Sequence, residues 1–505
     1  MGLFTVTYFA ATYNLAAQKP FWFDELLTYN IAAMPTAGDV WRAWLQADDA
    51  MPPLVHFATH LSGSTLGFSH VTARLPAMVG FWLLCLCIFI FLRRRVCPML
   101  ALVGMLLPVT VPLVYSYAYE ARAYGMVLGF CGAAVVCWDL ASDARWRRVA
   151  LLGLPIFLAG AIAAHTFAIL VVVPLALAEL ARTLERRHVD WVVWMGLVAA
   201  TLVILPVNPV VAHLRRSPNL AQFSVGRRAN VPEVMEVWNQ LLSTPANLLG
   251  LLALICIWRD RASPADDPSL PAAPGRQPSP ADWVLIIGLM ALPAIGWVFA
   301  NLVTRLFPLR YVIATVIGFS LGVPLLCRMA IRRRPEIALL LAAWVVVAAA
   351  ASPMSARHTM RKTLTRANIA AGWGCFRLLN LWKNVPQDGL PIVMSDFFVY
   401  HQIHHYAPEP LKQRMVFVVD REFGKLIEPS VPFYSKVFGE HMEGLEEFLR
   451  SHRSFYLYDC GNPAQSPMME RLLGAGATVR DGGLLDTPDI LLRRDFYRVS
   501  LNPGT

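Results

Sequence analysis

Two acidic residues stand side by side in the stretch PFWFDELL at residues 20 to 27, directly after the first apolar segment of the chain. A partly desolvated carboxylate beside a membrane suits a general base that takes a proton from a hydroxyl group. Neighbouring residues point about 100° apart on a helix, so one of Asp24 and Glu25 can act while the other supports it. The helix-like continuation DELLTYNIAAM also fits an acidic pair that simply begins a helix. Spacing alone leaves both interpretations open.

Three arginines flank the ends of apolar segments further along the chain. Arg122 lies in YEARAYG, and Arg305 and Arg310 lie in RLFPLRY. A guanidinium group binds phosphate through two parallel hydrogen bonds, whereas a lone arginine at a helix end commonly extends to lipid headgroups. The charge pattern of the chain places the three on one side of the membrane together with the two acids. This favours a site for an anionic, lipid-linked substrate and a hydroxyl acceptor.

Other polar and aromatic side chains on the same side complete a candidate substrate site. The candidates for binding the donor phosphate or the substrate are Arg74 in ARLP, His56 in PPLVH, Glu120 and Tyr124 in YEARAYG, His165 in AHTF, and Tyr311 in PLRY. A single histidine near a helix end is also commonly a structural polar group. HQIHH at 401 to 405 has metal-like spacing if it is helical, but no third ligand is identifiable. No cofactor is therefore assigned, and a divalent metal stays open.

The elements that must position these residues are membrane helices. The chain of 505 residues is 56% hydrophobic and 15% charged. Apolar runs of about 16 to 23 residues follow one another, which predicts an α-helical polytopic membrane protein. The run from 149 to 181 would form a helix of roughly 50 Å, too long for about 30 Å of hydrocarbon, so it is predicted to be two helices. About eleven transmembrane helices are expected with that division.

Clusters of basic residues orient the predicted helices. The net charge is +10, and much of the excess lies in short clusters between apolar runs, so nucleic acid is not a predicted partner. The clusters fall on one side, which the positive-inside rule makes the cytoplasm: RRR at 93 to 95, RWRR at 145 to 148, RTLERR at 182 to 187, Arg259 with Arg261, and RRR at 332 to 334. We expect a multi-pass protein of the inner (plasma) membrane, with its catalytic loops and its C-terminal domain outside the cytoplasm.

Two domains are predicted. The transmembrane domain covers residues 1–354, with the first outer loop at 18–74 and a Pro-, Ala- and Asp-rich cytoplasmic linker at 260–281. Residues 355–505 are more polar, and β-like runs such as LPIVMSDF, RMVFVVD and RSFYLYD alternate with helix-like stretches such as GEHMEGLEEFLRS. This alternation predicts a soluble α/β domain on the outer face. No Gly-rich phosphate loop follows its strands, so it is not predicted to bind nucleotides.

Five motifs resemble those of the C-type (GT-C) glycosyltransferase superfamily, in the branch of the protein mannosyltransferases and the bacterial aminoarabinose transferase. They are, in this order, FDE, PPLVH, ARLP, YEARAYG and PLRY. The resemblance spans roughly residues 1 to 355. It implies an inverting transfer of a sugar from a polyprenyl-phosphate donor to an acceptor on the outer (periplasmic) face. Asp24 would then be the general base with Glu25 beside it, and Arg122 and Arg310 would bind the donor phosphate. Some relatives carry Lys before PPL where this chain has Met51, and Arg74 is the candidate to replace that contact.

The acceptor implied by this resemblance is a lipid, a protein or a polysaccharide. Two other classes of function remain. In a transporter or flippase of polyprenyl-linked glycans, the arginines would bind substrate and the acids would relay protons, with inverted repeats expected in the sequence. In a non-catalytic scaffold, the exported domain would bind a partner. The sequence contains no evident internal repeat, and its polar residues lie at the outer edge of the predicted bilayer, which favours the enzyme.

Overall fold

The computed structural model describes residues 1–46, 49, 51–207, 230–241, 247–248, 276–304, 307, 309–331, 335–365, 385–395, 397–419, 438–458, 468–482 and 496–501. These residues form two compact units. The first contains the described residues within 1–18, 51–207 and 230–357, and the second contains those within 19–49 and 358–501. The predicted first outer loop is therefore divided, because residues 19–49 group with the C-terminal part of the chain.

Helices predominate in the first unit, and the second unit combines helices with a sheet. In chain order the helices are α1 (Gly2–Gln18), α2 (Phe23–Ala32), α3 (Ala37–Gln46), α4 (Leu54–Leu66), α5 (His70–Arg93), α6 (Pro98–Thr110), α7 (Pro112–Ser116), α8 (Tyr124–Leu140), α9 (Arg147–Ala164), α10 (Val172–Arg186), α11 (Trp191–Thr201), α12 (231–241), α13 (Pro280–Met290), α14 (Leu292–Phe299), α15 (Thr315–Ile331), α16 (Pro335–Thr365), α17 (Phe397–Tyr406), α18 (Glu409–Lys412), α19 (Leu445–Ser451) and α20 (Met468–Gly474). Short 3₁₀ segments occur at Tyr117–Tyr119, Thr166–Val171 and Leu309–Val312, and a π-helical turn at Ala300–Thr304.

The chain has the helices of a multi-pass membrane protein. Four segments are long and apolar enough to cross a bilayer: His70–Arg93, Arg147–Ala164, Thr166–Arg186 and Leu339–Met360. Two further pairs, Pro98–Thr110 with Pro112–Tyr119 and Pro280–Met290 with Leu292–Val303, bend by 75° and 54° and raise the number to six if each pair is one span. These numbers cover the described residues, so the expected eleven helices stay a prediction. Most of the further apolar run at 244 to 258 and most of the predicted linker at 260–281 lie outside those residues.

The apolar run from 149 to 181 is divided in two, as the sequence predicted. α9 ends at Ala164, and His165 adopts an extended backbone with φ −155° and ψ 119°. Its Nδ1 accepts a hydrogen bond of 3.3 Å from the backbone N–H of Phe167, which begins the next helical segment. His165 thus stands at the break between two membrane helices.

Small residues bring α5 and α8 into direct backbone contact. A Cβ atom placed on Gly129 would lie 2.3 Å from the carbonyl oxygen of Gly80, and one on Gly125 would lie 2.5 Å from that of Ala77. Any side chain at these two glycines would therefore separate the helices. Close packing through small residues four positions apart is a common arrangement in membranes. It fixes the N-terminal end of α8, where several candidate site residues lie.

The second unit contains a six-stranded sheet. The strands are β1 (Ile392–Met394), β2 (Met415–Val419), β3 (Met442–Gly444), β4 (Ser454–Tyr458), β5 (Thr478–Asp481) and β6 (Phe496–Ser500), in the order β3-β2-β1-β4-β6-β5. β1 to β4 are parallel, and β6 pairs antiparallel to both β4 and β5. The runs LPIVMSDF, RMVFVVD and RSFYLYD contain β1, β2 and β4, which confirms the predicted strands. GEHMEGLEEFLRS was predicted as helix throughout, but its first half contains β3.

Candidate active site

The two acids of the FDE motif lie in the first turn of α2, in the second unit. The N-cap residue is Trp22, and its side chain makes no capping hydrogen bond. Glu25 is fully buried, and its Oε2 lies 3.5 Å from the equally buried Nζ of Lys19. Asp24 is half-buried. The pair therefore divides into one enclosed carboxylate with an opposite charge beside it and one carboxylate closer to solvent.

Lys19 is a residue that the sequence interpretation missed. Its signal was a single lysine between the first apolar run and the acidic pair. A buried ammonium group is stable only beside a compensating charge, so Lys19 and Glu25 depend on each other. Their pairing connects the residue at the start of this part of the second unit to the first turn of α2.

Aromatic contacts within the second unit hold α2 against α17. The backbone N–H of Phe21 donates a 2.6 Å hydrogen bond to the hydroxyl of Tyr406. The ring of Phe23 lies 5.5 Å from that of His401, and the ring of Tyr29 lies 5.7 Å from that of His405, measured between centroids. The helix that carries Asp24 and Glu25 is thus anchored on the C-terminal domain.

The HQIHH motif is helical, which was the condition for its metal-like spacing. His401 is buried, and its Nδ1 makes a short hydrogen bond with Oε1 of Glu440. Among the described residues, no group of three or more His, Cys, Asp or Glu side chains is arranged to hold a metal ion. Glu440, thirty-nine positions away, is a second polar partner that the motif itself did not indicate.

Four predicted site residues line one narrow cleft in the first unit. They are Tyr124 at the start of α8, His165 at the break after α9, and Arg310 and Tyr311 of the PLRY motif. The ring centroid of His165 lies 5.5 Å from that of Tyr124 and 4.8 Å from that of Tyr311. The free volume of the cleft is only about 10 Å³, barely enough for one water molecule. Three distant stretches of sequence therefore converge on one tightly packed cluster.

Arg122 and Glu120 lie in the tight turn that leads into this cluster. Both are buried, and the backbone N–H of Arg122 donates a 2.8 Å hydrogen bond to the carbonyl oxygen of Glu120. Arg310 lines the same cleft as Tyr124, and Arg122 precedes Tyr124 by two residues in the chain. Tyr124 is thus the common neighbour of the two arginines that the sequence assigned to phosphate.

Arg74 and His56 are not among the described residues that line this cleft. Arg74 is buried on α5 and donates a 2.6 Å hydrogen bond from Nη1 to the carbonyl oxygen of Ala16, near the end of α1. This bond commits one of its five donors to holding two helices together. His56 is buried on α4, and Arg305 lies outside the described residues. The phosphate-binding role of all three stays a prediction.

Comparison with known proteins finds matches among solved structures. No family model matches the chain, and no curated protein matches it. The crystal structure of ArnT from Cupriavidus metallidurans bound to undecaprenyl phosphate matches with a TM-score of 0.58 at 13% identity, covering 99% of this chain and 98% of that one. The chain has the ArnT fold. The apo structure of the same protein matches over the same extents with a TM-score of 0.51 at 14% identity.

At this identity the likeness shows the fold alone. It confirms the GT-C-like fold that the order of the five motifs predicted. It also covers both the membrane helices and the C-terminal sheet, since nearly every residue of either chain is included.

Proposed function

We propose that this chain is a membrane glycosyltransferase that moves a sugar from a polyprenyl-phosphate donor to an acceptor on the outer face of the inner membrane. The observation that carries the proposal is the match over 99% of the chain to ArnT, a protein whose crystal structure holds undecaprenyl phosphate. A fold alone does not define a reaction. The residues of the two candidate clusters supply the chemistry on which the proposal depends.

In the proposed reaction, Asp24 acts as the general base. It takes the proton of the acceptor hydroxyl while the acceptor oxygen forms a bond to the anomeric carbon of the donor sugar. The bond from that carbon to the phosphate oxygen breaks on the opposite side, which inverts the anomeric configuration, and polyprenyl phosphate leaves. Asp24 suits this role better than Glu25, because the carboxylate of Glu25 is enclosed beside Lys19. Glu25 then acts as a positioning residue for the start of α2.

Arg310 and Arg122 are proposed to bind the departing phosphate. Negative charge grows on that group in the transition state, so a fixed guanidinium stabilises the transition state more than the ground state. The cleft that contains Arg310 is also lined by the phenols of Tyr124 and Tyr311 and by the imidazole of His165.

The test is a transfer assay with purified protein and a panel of polyprenyl-linked sugars, using a membrane extract as acceptor. We expect release of polyprenyl phosphate and formation of a glycosylated product. Asp24→Asn keeps the size of the side chain but removes the base, so transfer should fall by roughly 10² or more while donor binding persists. Asp39→Asn is the matched control, because Asp39 is an acid on α3 that pairs with the exposed Arg42.

Several results would contradict the proposal. Normal turnover by folded Asp24→Asn would exclude this residue as the base. Intact lipid-linked sugar after incubation, from a protein that moves it between leaflets in liposomes, would favour a transporter. The outer-face assignment predicts that the exposed position of Ser451→Cys reacts with a membrane-impermeant reagent in intact cells, and its protection there would overturn that assignment.

A further inference from the structure

The second unit contains a cavity that the proposed transfer chemistry leaves unused. Its volume is about 250 Å³, and the residues that line it are Asn30, Ala33 and Met34 of α2, His404 and His405 of α17, Lys412, Phe438 and Glu440. Pockets for drug-sized ligands have volumes of about 300–1,000 Å³, so this one suits a smaller molecule. The cavity therefore has room for a single ring with its substituents.

Among the lining residues, Glu440 gives the strongest indication of a bound polar group. It is only 3% exposed, and its Oε1 is engaged by His401. Within the part of the chain that the structure describes, Oε2 of Glu440 has no hydrogen-bond partner. A buried carboxylate oxygen without a donor is costly, and a hydroxyl or amino group of a ligand would remove that cost.

Other lining residues offer donors and acceptors around the same space. The Nδ2 of Asn30 lies 3.5 Å from Nε2 of His401, which places the Asn30 amide beside the His401–Glu440 pair. Burial lowers the pKa of His404, so its imidazole is neutral at neutral pH and offers one donor and one acceptor. Lys412 pairs with Glu409 at 2.9 Å and retains further N–H donors.

Apolar groups make up the rest of the lining. Ala33, Met34 and the ring of Phe438 present a nonpolar surface beside these polar groups. A sugar ring has this combination of features, with hydroxyl groups around its edge and C–H groups on its faces. A phosphate fits poorly, because an anion would meet the carboxylate of Glu440.

We propose that this cavity binds one sugar residue of the acceptor, with a hydroxyl or amino group donating to Oε2 of Glu440. This inference rests on the proposed transferase function and narrows its acceptor to a glycan or glycolipid. Asn30 lies six positions after Asp24 on α2, about 9 Å along the helix axis. The same helix would then carry the proposed base in its first turn and a contact to the acceptor in its second half.

The binding test uses the purified full chain and a panel of methyl glycosides, including glucoside, mannoside, arabinoside and glucosaminide, observed by saturation-transfer NMR. At least one glycoside should bind the wild type. Met34→Trp should abolish that binding by filling the cavity, and Glu440→Gln should weaken it about tenfold or more, since the amide replaces a charged acceptor. Glu446→Gln is the matched control, because Glu446 is 80% exposed on α19.

Transfer kinetics give a second, separate readout. Glu440→Gln should raise KM for the acceptor about tenfold, with kcat and donor binding close to those of the wild type. Thermal unfolding of each variant checks that it folds. If no glycoside binds, or if binding survives Met34→Trp, the sugar site is wrong. If glycosides bind through Glu440 but the wild type releases no polyprenyl phosphate, the cavity stands as a sugar site and the transferase proposal fails.

Discussion

α8 carries a different kind of polar cluster at each end. At its C-terminal end, buried Asp139 contacts Arg95 at 2.5 Å and Arg94 at 3.0 Å, and Arg95 also contacts buried Asp282 at 2.6 Å. At its N-terminal end, Tyr124 lies in the cleft with Arg310, where the lining contains aromatic rings and no acidic residue among those described. The C-terminal cluster thus consists of arginines and carboxylates, whereas the cleft at the N-terminal end places Arg310 among aromatic rings.

We propose that the two clusters have different roles, one in the stability of the helix bundle and the other in donor binding. A buried arginine that is hydrogen-bonded to two carboxylates is committed to holding three helices together. In the cleft, the Arg310 guanidinium lies among phenols and an imidazole, and we propose that its fork geometry serves to bind the donor phosphate. We therefore expect substitutions at the C-terminal end of α8 to change stability and those at the N-terminal end to change donor binding.

The largest effect is expected at Arg95. Arg95→Met removes the partner of Asp282 and one partner of Asp139, leaving buried carboxylates without full compensation. Breaking a buried ion pair in this way costs about 3–5 kcal/mol in free energy of unfolding. Chemical unfolding in detergent micelles measures the loss.

A second variant distinguishes this ion pairing from packing. Asp282→Asn added to Arg95→Met removes the uncompensated charge, while the Asn oxygen can still accept from the backbone N–H of Ser279, now 2.9 Å from Asp282. The double variant should recover much of the lost stability. An equally unstable double variant would show that the shape of Arg95, and not its charge, is what matters.

A smaller effect, on function, is expected at the other end of the helix. Arg310→Lys keeps the positive charge but loses the planar fork that binds two phosphate oxygens. Transfer should fall about 10- to 100-fold, with a larger loss in transfer than in donor binding, because charge grows on the leaving phosphate. Turnover and binding of a polyprenyl-phosphate sugar measure the two quantities.

The control is the same substitution at an arginine of α10 that packs against the C-terminal end of α8. Arg182 is buried, lies 3.6 Å above the ring of Trp138 and pairs with Glu179 at 3.1 Å. Arg182→Lys should lower stability by about 1–2 kcal/mol, since a desolvated cation–π contact is weakened. Donor binding should not change. Equal losses of donor binding in both variants would contradict the division between the two ends.

Short motifs predicted the residues of the cleft but not their partners. YEARAYG, AHTF and PLRY are separated by dozens of residues, the predicted topology places them on one side, and residues of all three line one cleft. The basic cluster RRR at 93 to 95 was interpreted as an orientation signal. The structure adds that Arg94 and Arg95 are held by Asp139 and Asp282, contacts that depend on how α5, α8 and α13 pack.

In the second unit, too, the sequence predicted elements but not the contacts between distant residues. The buried strands β1, β2 and β4 are visible as short apolar runs, because strands covered on both faces are continuously hydrophobic. β3 has only three residues, is partly exposed and stands at the end of the strand order beside β2. Its sequence therefore shows neither a continuous apolar run nor a clear alternation. The pairs Lys19–Glu25 and His401–Glu440 were missed because single charged residues do not reveal their partners until the chain is folded.

The smallest effect is expected at a partly exposed pair beside the same C-terminal end of α8. Arg147 donates a 2.7 Å hydrogen bond to the carbonyl oxygen of Ala141 and contacts Asp190 at 2.8 Å. Asp190→Asn removes the ion pair while its side-chain oxygen can still cap α11. The pair is partly exposed and screened by salt, so the loss should be about 0.2–1 kcal/mol and smaller still at high ionic strength.

The pH dependence of that loss distinguishes the ion pair from the helix cap. The hydrogen bond from Arg147 holds the pKa of Asp190 below its ordinary value. A carboxylate whose pKa is lower in the folded state binds fewer protons there, so its contribution is complete above the unfolded pKa of about 3.9 and is lost as the pH falls through the folded value. The difference in unfolding free energy between wild type and Asp190→Asn should therefore be constant near neutral pH and shrink below about pH 4. A difference that persists unchanged in acid and in high salt would assign the effect to the cap of α11. The Arg147–Asp190 pair would then not belong to the stabilising ion pairs around the C-terminal end of α8.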